Sequence, residues 1–402
     1  MGSSTATRKL YLEDSYKVSF QATIVSCERQ PDGRIAAILD ETYFYPESGG
    51  QVCDRGVIGD VPITSVWEDD AEVVYHGVEA DIRPGPVSCR ADWATRFDHM
   101  QQHTGQHLLS RAFIEVAGLQ TVSFHMGEDA CTIDLEGGEL TAKSMEAAES
   151  LANTVIAENR PVIVRTVSPD ELEDSALRKK LPDGVTEVRL VEIEDFDVIG
   201  CCGTHVRQTG ELGLIKVLKS EKAKGAERVA FKVGHRAIED YRFKHDVIRN
   251  LANRFTTSAV DLIEKIEKVD LESQLRRKEV QKLSKMLVAH EADALLGNAE
   301  KHRLGNLVWC VVAGYSDDFL RMLATELRGR KGTISVVGSD SGTVICNAAD
   351  GLAVDFAPVV ESAKAVGGSG GGKGAFATVR LPRDVSVEEF VKNTVKTVQS
   401  NE

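Results

Sequence analysis

Arg96-Phe-Asp-His-Met-Gln-Gln-His-Thr-Gly-Gln-His-Leu-Leu109 carries two imidazoles, His103 and His107, four residues apart. On a helix that spacing puts both on one face about one turn apart, which suits two ligands on a single metal ion. His99 continues the same four-residue series, so the helix alone does not say which two bind. Working outward, the pattern from Asp92 to Gly118 predicts the helix itself. Met100, Leu108, Ala112 and Val116 are available to one broad apolar face, and Gly118 is its stop.

Downstream, Cys201-Cys-Gly-Thr-His205 follows Glu194-Asp-Phe-Asp197. A turn containing Gly203 brings a thiolate and an imidazole to the same side. The two segments together offer three His and one Cys, a set matched to Zn²⁺ rather than to Mg²⁺ or Ca²⁺. Either segment alone is a modest signal. Both in one predicted domain make a metal site the better reading.

The rest of the chain falls into four parts, an α+β architecture. Residues 1–95 have short apolar runs broken by Gly, Pro and Asp, which predicts a small β-barrel with one long glycine-rich loop, Pro46 to Gly56. Residues 96–235 alternate helix and strand. Val122–His125, Ala130–Leu135, Pro161–Val167, Glu187–Ile193, Leu212–Leu218 and Arg228–Val233 read as strands, and Thr141 to Asn159 as a helix. This predicts an α/β sandwich against which the barrel packs. Residues 236–297 read as a helical linker or two-helix hairpin, without a clean heptad at Val260, Ile263, Glu267, Asp270 and Gln274. Residues 298–402 return to strand and helix around a glycine-rich loop, Gly367–Gly374.

Composition narrows the function classes. The 402 residues are 42% hydrophobic and 27% charged, ordinary globular material with enough length for two to four domains. No apolar run approaches a membrane span and the start lacks a signal pattern, so the expectation is a cytoplasmic protein without a membrane partner. Eight scattered cysteines argue against a secreted disulfide scaffold. A net charge of −14 excludes a generally basic nucleic-acid coat but leaves room for a local basic stripe.

The helix segment resembles the metal motif of the alanyl-tRNA synthetase editing domain, and Cys201-Cys-Gly-Thr-His205 resembles that domain's second metal motif. Thr42-Tyr-Phe-Tyr-Pro-Glu-Ser-Gly-Gly-Gln51, with Asp54 and Gly56, resembles its glycine-rich motif, in matching order over about residues 15–235. Without a preceding aminoacylation segment, the chain is similar to the free-standing editing proteins of the AlaX group in their long form. The resemblance implies one zinc ion per chain on His103, His107, Cys201 and His205. His99 would support the site without binding. The family commonly has Gly where Cys202 stands, and spacing to His205 favours Cys201 as the thiol ligand. The implied partner is tRNA(Ala) mischarged with serine or glycine, and the implied reaction is hydrolysis of its aminoacyl ester by a zinc-bound water, with no separate protein base identified. Thr42, Gly49, Gly50 and Gln51 would recognise the substrate, and Ser123 and His125 fall where they would line the pocket. Two rivals stay open: a deacylase of another mischarged tRNA such as seryl-tRNA(Thr), and a non-catalytic tRNA-binding module with a structural zinc.

Gly367-Gly-Ser-Gly-Gly-Gly-Lys-Gly374 mimics a phosphate-binding Walker loop, but Gly374 stands where Ser or Thr is required and strand-like sequence follows. Nucleotide hydrolysis is rejected. The segment resembles instead the C-terminal DHHA1-type domain of alanyl-tRNA synthetase, implying tRNA contact through Lys373 or formation of a homodimer. Basic clusters for RNA phosphates are few. They include Arg178-Lys-Lys180, the stretch Lys216 to Arg228 with Lys222 and Lys224, and Arg276-Arg-Lys278.

Overall fold

Strict alternation in Ser19–Arg29 turns Phe20, Ala22 and Ile24 to one side, the signature of a strand with one buried face. In the computed structural model this strand opens a closed six-stranded antiparallel barrel. It pairs with Ile35–Leu39, followed in order by Val74–Val78, Val61–Glu68, Gly56–Ile58 and Gly85–Ala91, which returns to Ser19–Arg29. The structure describes residues 6–31, 33–168, 178, 187–223 and 225–400. They divide into two compact units, Met1–Asn250 and Leu251–Glu402.

After the barrel comes helix α1, Trp93–Ala117. Asp92 caps it by accepting a hydrogen bond from the Thr95 amide, and Gly118 ends it with φ +67°, the left-handed conformation glycine adopts without strain. Met100, Leu108 and Ala112 are buried as expected, but Val116 is exposed, and its neighbour Ala117 packs on the core instead. Helix α2, Ala142–Glu158, starts with a capping box between Thr141 and Ser144 and stops at Asn159. Both helices contribute to one apolar core with a four-stranded sheet ordered Ile215–Ala223, Ala226–Val233, Cys131–Glu136, Gln120–Met126. Gly105 lets α1 lie close to that sheet, since a Cβ there would meet Val233 at 2.5 Å. A three-stranded sheet, Val162–Val167, Val188–Ile193 and Asp197–Gly200, delivers the chain to Cys201. Leu212, read as the start of a strand, instead closes the short 3-10 turn Thr209–Leu212, because Gly213 at φ +69° interrupts the extended backbone.

A buried ion pair fastens the barrel to α1. The Arg96 guanidinium bonds both carboxylate oxygens of Asp54 and the carbonyls of Ser15 and Tyr43, and Asp54 also accepts from the Tyr45 amide at 2.7 Å. Neither side chain is exposed.

The helical stretch is two helices, α3 (His235–Phe255) and α4 (Leu262–Gly297), with Thr256 between them at φ +52°. In the second unit, a six-stranded mixed sheet is flanked by α5 (Asp317–Gly329), α6 (Ala357–Ala365) and α7 (Val387–Ser400). The glycine-rich segment is not a loop: Ser369–Lys373 is the edge strand of this sheet, antiparallel to Phe376–Arg380. Its glycines serve close strand approach, for a Cβ on Gly370 would lie 2.4 Å from the Thr378 carbonyl oxygen. Among the described residues no helix is long and apolar enough to cross a membrane.

Candidate metal centre

Four side chains from distant segments converge in the first unit. His103 and His107 come from α1, and Cys201 and His205 from the turn after Asp197–Gly200. One ligand atom from each lies within 4.8 Å of every other. The Cys201 Sγ is 3.4 Å from both His103 Nε2 and His205 Nε2. Tetrahedral bonds of about 2.0–2.3 Å to N and S ligands set an N-to-S edge of about 3.5 Å, so the spacing fits one ion. Cys202 is exposed and lies outside the group, whose thiol is Cys201. His99 is buried one turn before His103 and is also outside it.

The imidazoles are presented as lone-pair donors. Burial drives His103 down to about 3, and drives His107 and His205 well below the usual histidine range, so all three are neutral at pH 7. Which nitrogen of His103 carries the proton follows from Gln51. The Thr204 backbone N–H can only donate, so the Gln51 amide atom facing it at 3.2 Å is the oxygen. That oxygen also lies 2.7 Å from His103 Nδ1, which must therefore hold the proton and leave Nε2 open toward Cys201. Gln51 Nε2 donates to Thr204 Oγ1 at 2.8 Å. His205 Nδ1 is likewise 3.0 Å from Thr104 Oγ1. His107 Nδ1 is buried with no hydrogen-bond partner among the described residues. Burial pushes the Cys201 thiol up to about 11, with the Gly203 amide and the Arg189 guanidinium pulling the other way. A cation taking this site must displace that proton.

The turn is shaped for this task. A Cβ at Gly203 would fall 2.2 Å from the His103 ring, so only glycine lets the two motifs close on each other. Arg189 donates to the carbonyls of Cys201 and Gly203 at 2.7 and 3.0 Å, fixing the turn from behind. Neither Arg189 nor Thr104 stands out in the sequence, because their partners are a hundred residues away or are backbone atoms.

Several expected substrate residues take other places. Gln51 is fully buried and orients His103, so its amide is committed to the centre rather than offered to a substrate. Thr42 is fully buried in the barrel. His76 Nδ1 lies 3.1 Å from the Ala37 carbonyl and must be the protonated nitrogen, so Thr42 donates to His76 Nε2 at 2.9 Å while accepting from the Phe44 amide. Gly49 and Gly50 form a left-handed turn, at φ +58° and +82°, and a Cβ on Gly50 would strike the Phe124 carbonyl at 2.4 Å. Phe124 is the residue of its strand that meets the centre, its ring 5.5 Å from His103. Strand alternation therefore turns Ser123 and His125 to the opposite, exposed face, and their assignment to the pocket is corrected. Arg228 is held by Asp134 at 2.7 and 2.8 Å, Lys222 and Lys373 are exposed, and Lys179, Lys180 and Lys224 lie outside the described residues.

A family model described as the threonyl and alanyl tRNA synthetase second additional domain matches residues 188–230. The chain is 31% identical over 414 residues to alanyl-tRNA editing protein Aarsd1 of Rattus norvegicus, covering 97% of this chain and 98% of that protein. It is 30% identical, with the same coverage, to the corresponding protein of Mus musculus. Alanine–tRNA ligase of Thermococcus kodakarensis is 32% identical over 409 residues, which span 97% of this chain and 43% of the ligase. Among solved structures, the C-Ala domain of Aquifex aeolicus alanyl-tRNA synthetase aligns with 25% of this chain and 97% of that one, at 22% identity and a TM-score of 0.23.

Proposed function

The chain belongs to the family of alanyl-tRNA editing proteins, and on that premise we propose that it hydrolyses the aminoacyl ester of Ser-tRNA(Ala) and Gly-tRNA(Ala) at a zinc site while sparing Ala-tRNA(Ala). The observation that carries this reading is the convergence of His103, His107, Cys201 and His205, three neutral imidazoles and a thiol whose candidate ligand atoms all lie within 4.8 Å of one another. The donor set matches zinc. When bound, zinc supplies Lewis acidity toward water or the ester carbonyl.

The chain's own residues do the rest. Gln51 keeps the His103 proton on Nδ1, Arg189 holds the Cys201–Gly203 carbonyls, and burial keeps the imidazoles unprotonated. An editing site is needed because one small group supports only about 10–200-fold discrimination in a single binding step. Accepting serine and refusing alanine calls for a polar partner that alanine would leave unpaired. Thr42 takes that part only by giving up its bond to His76. The four-part division at 95, 235 and 297, a DHHA1-like C-terminal part that contacts tRNA through exposed Lys373, and pairing of two chains through that part belong to the same proposal.

The test is a deacylation panel on Ser-, Gly- and Ala-tRNA(Ala) and Ser-tRNA(Thr), run beside metal analysis of the purified protein. About one zinc per chain, with release of serine or glycine from tRNA(Ala) and retention of alanine, is the expected result. Metal and tRNA binding without ester cleavage would refute it.

A further inference from the structure

Away from the candidate metal ligands sits a group of rings, two of them on α1, that the hydrolytic reading leaves unused. Trp93 and Phe97, one turn apart at the start of α1, stack with centroids 5.2 Å apart and planes 29° apart. Tyr16 lies against Trp93 at 5.5 Å. The Arg207 guanidinium sits 4.1 Å over the Tyr16 ring, and Arg207 is two residues beyond the metal-ligand candidate His205. Trp93 remains 41% exposed, which is unusual for so large an apolar ring, and the Arg207 side chain is 65% exposed.

The group is held rigid from behind. The Tyr16 hydroxyl donates to Glu211 Oε2 at 2.6 Å and accepts from the Arg207 amide at 2.9 Å, while Glu211 Oε1 takes the Arg207 and Gln208 amides. The polar atom of Tyr16 is thus consumed by the fold and its ring is left to make contacts. Among the described residues, Arg207 pairs in charge with Asp14, an exposed contact at 3.3 Å that costs little to exchange.

We propose that Trp93, Phe97, Tyr16 and Arg207 form a stacking platform for the unpaired nucleotides that lead to the esterified RNA end. The inference rests on the reading of the metal centre as a site for an aminoacylated RNA terminus. Aromatic rings and a planar guanidinium on a preformed surface are what single-stranded nucleic acid binds without reading sequence, the bases stacking on rings and the cation meeting phosphate. The placement agrees with that occupant. Along α1, Trp93 lies roughly 15 Å and Phe97 roughly 9 Å from His103, a span that a few unpaired nucleotides cover. Arg207 over Tyr16 is the cation of the group, and its exposed pairing with Asp14 is the contact a phosphate would replace.

The experiment compares kcat/KM for full-length mischarged tRNA with kcat/KM for the matching aminoacyl-adenosine, which carries the ester but no preceding nucleotides. In Trp93→Ala the ratio of the two falls about tenfold through KM, since stacking on one ring is worth about that much. Trp93→Phe, which keeps a ring, holds the ratio within about twofold of wild type. Arg207→Gln reduces the salt slope of RNA binding by about one. Equal losses on both substrates in Trp93→Ala would mean that the rings only brace the fold, and an unchanged ratio would mean that no base stacks there. Either result overturns the platform. If the wild-type protein cleaves neither substrate, the hydrolytic reading fails and the platform is judged by binding alone. Fluorescence anisotropy of a labelled hairpin with an unacylated single-stranded 3′ overhang then supports it if Trp93→Ala weakens binding about tenfold, and overturns it if the affinities match.

Discussion

Buried polar clusters within the first unit differ in one respect. The clasp between barrel and helix is balanced: Arg96 donates to Asp54, Ser15 and Tyr43, and Asp54 accepts from Arg96 and Tyr45. The Thr42–His76 pair inside the barrel closes on itself in the same way. The group on α1 and the Cys201 turn is unbalanced. Its outer nitrogens meet Gln51 and Thr104, while the Cys201 Sγ lies 3.4 Å from both His103 Nε2 and His205 Nε2, with a single thiol proton for the two contacts. Burying polar atoms without a proton or cation between them is costly. A balanced cluster is a lock, and an unbalanced one is a socket.

If the clasp is only a lock, breaking half of it should produce the largest stability effect in this unit. Arg96→Met strands a buried carboxylate and is expected to cost about 3–5 kcal/mol in denaturant unfolding, much of it recovered in the double variant Asp54→Leu/Arg96→Met. Failure of the double variant to recover would mean that the pair does more than fasten.

Next in size is acid sensitivity from the barrel lock. Burial lowers His76 from 6.5 to about 4. The unfolded chain therefore takes up this proton first as pH falls. The stability contribution is complete above about pH 6.5 and is lost between there and about pH 4, on the order of 3 kcal/mol in all. The buried metal-site histidines add a slope of the same sign, so the contribution of His76 is read as the flattening of the pH–stability curve in His76→Gln.

The socket should respond to a smaller change in a different observable. Gln51→Ala removes the acceptor that fixes the His103 tautomer and is expected to cost about 10–100-fold in metal affinity or activity with little change in unfolding midpoint. Competition with a chromogenic chelator measures it. A drop in fold stability with unchanged metal affinity would move Gln51 from the socket to the locks.

Much of this was legible in the sequence because it is local. Asp92 and Gly118 mark the ends of α1, the four-residue spacing puts His103 and His107 on one face, and the Cys-x₃-His turn supplies the other two candidate ligands. Of the two adjacent thiols, Cys201 is the one that lies in the group. What stayed hidden is long-range. Gln51 reads as a substrate residue until its partners, 52 and 153 residues away, are known. Arg96 and Asp54 are 42 residues apart, and neither spacing nor periodicity links them. Ser123 and His125 were assigned to the right strand and the wrong face, because a period of two tells which residues share a side and not which side looks inward. The glycine-rich segment was misread for the opposite reason. Glycine is the residue of turns, and here it serves close packing at a sheet edge.

The socket itself is tested most directly by elemental analysis of the purified protein and of His103→Ala, each followed by deacylation of Ser-tRNA(Ala). One transition-metal ion per chain in the wild type, lost together with serine release in the variant, is the predicted outcome. Serine release that persists in protein stripped of metal would contradict it.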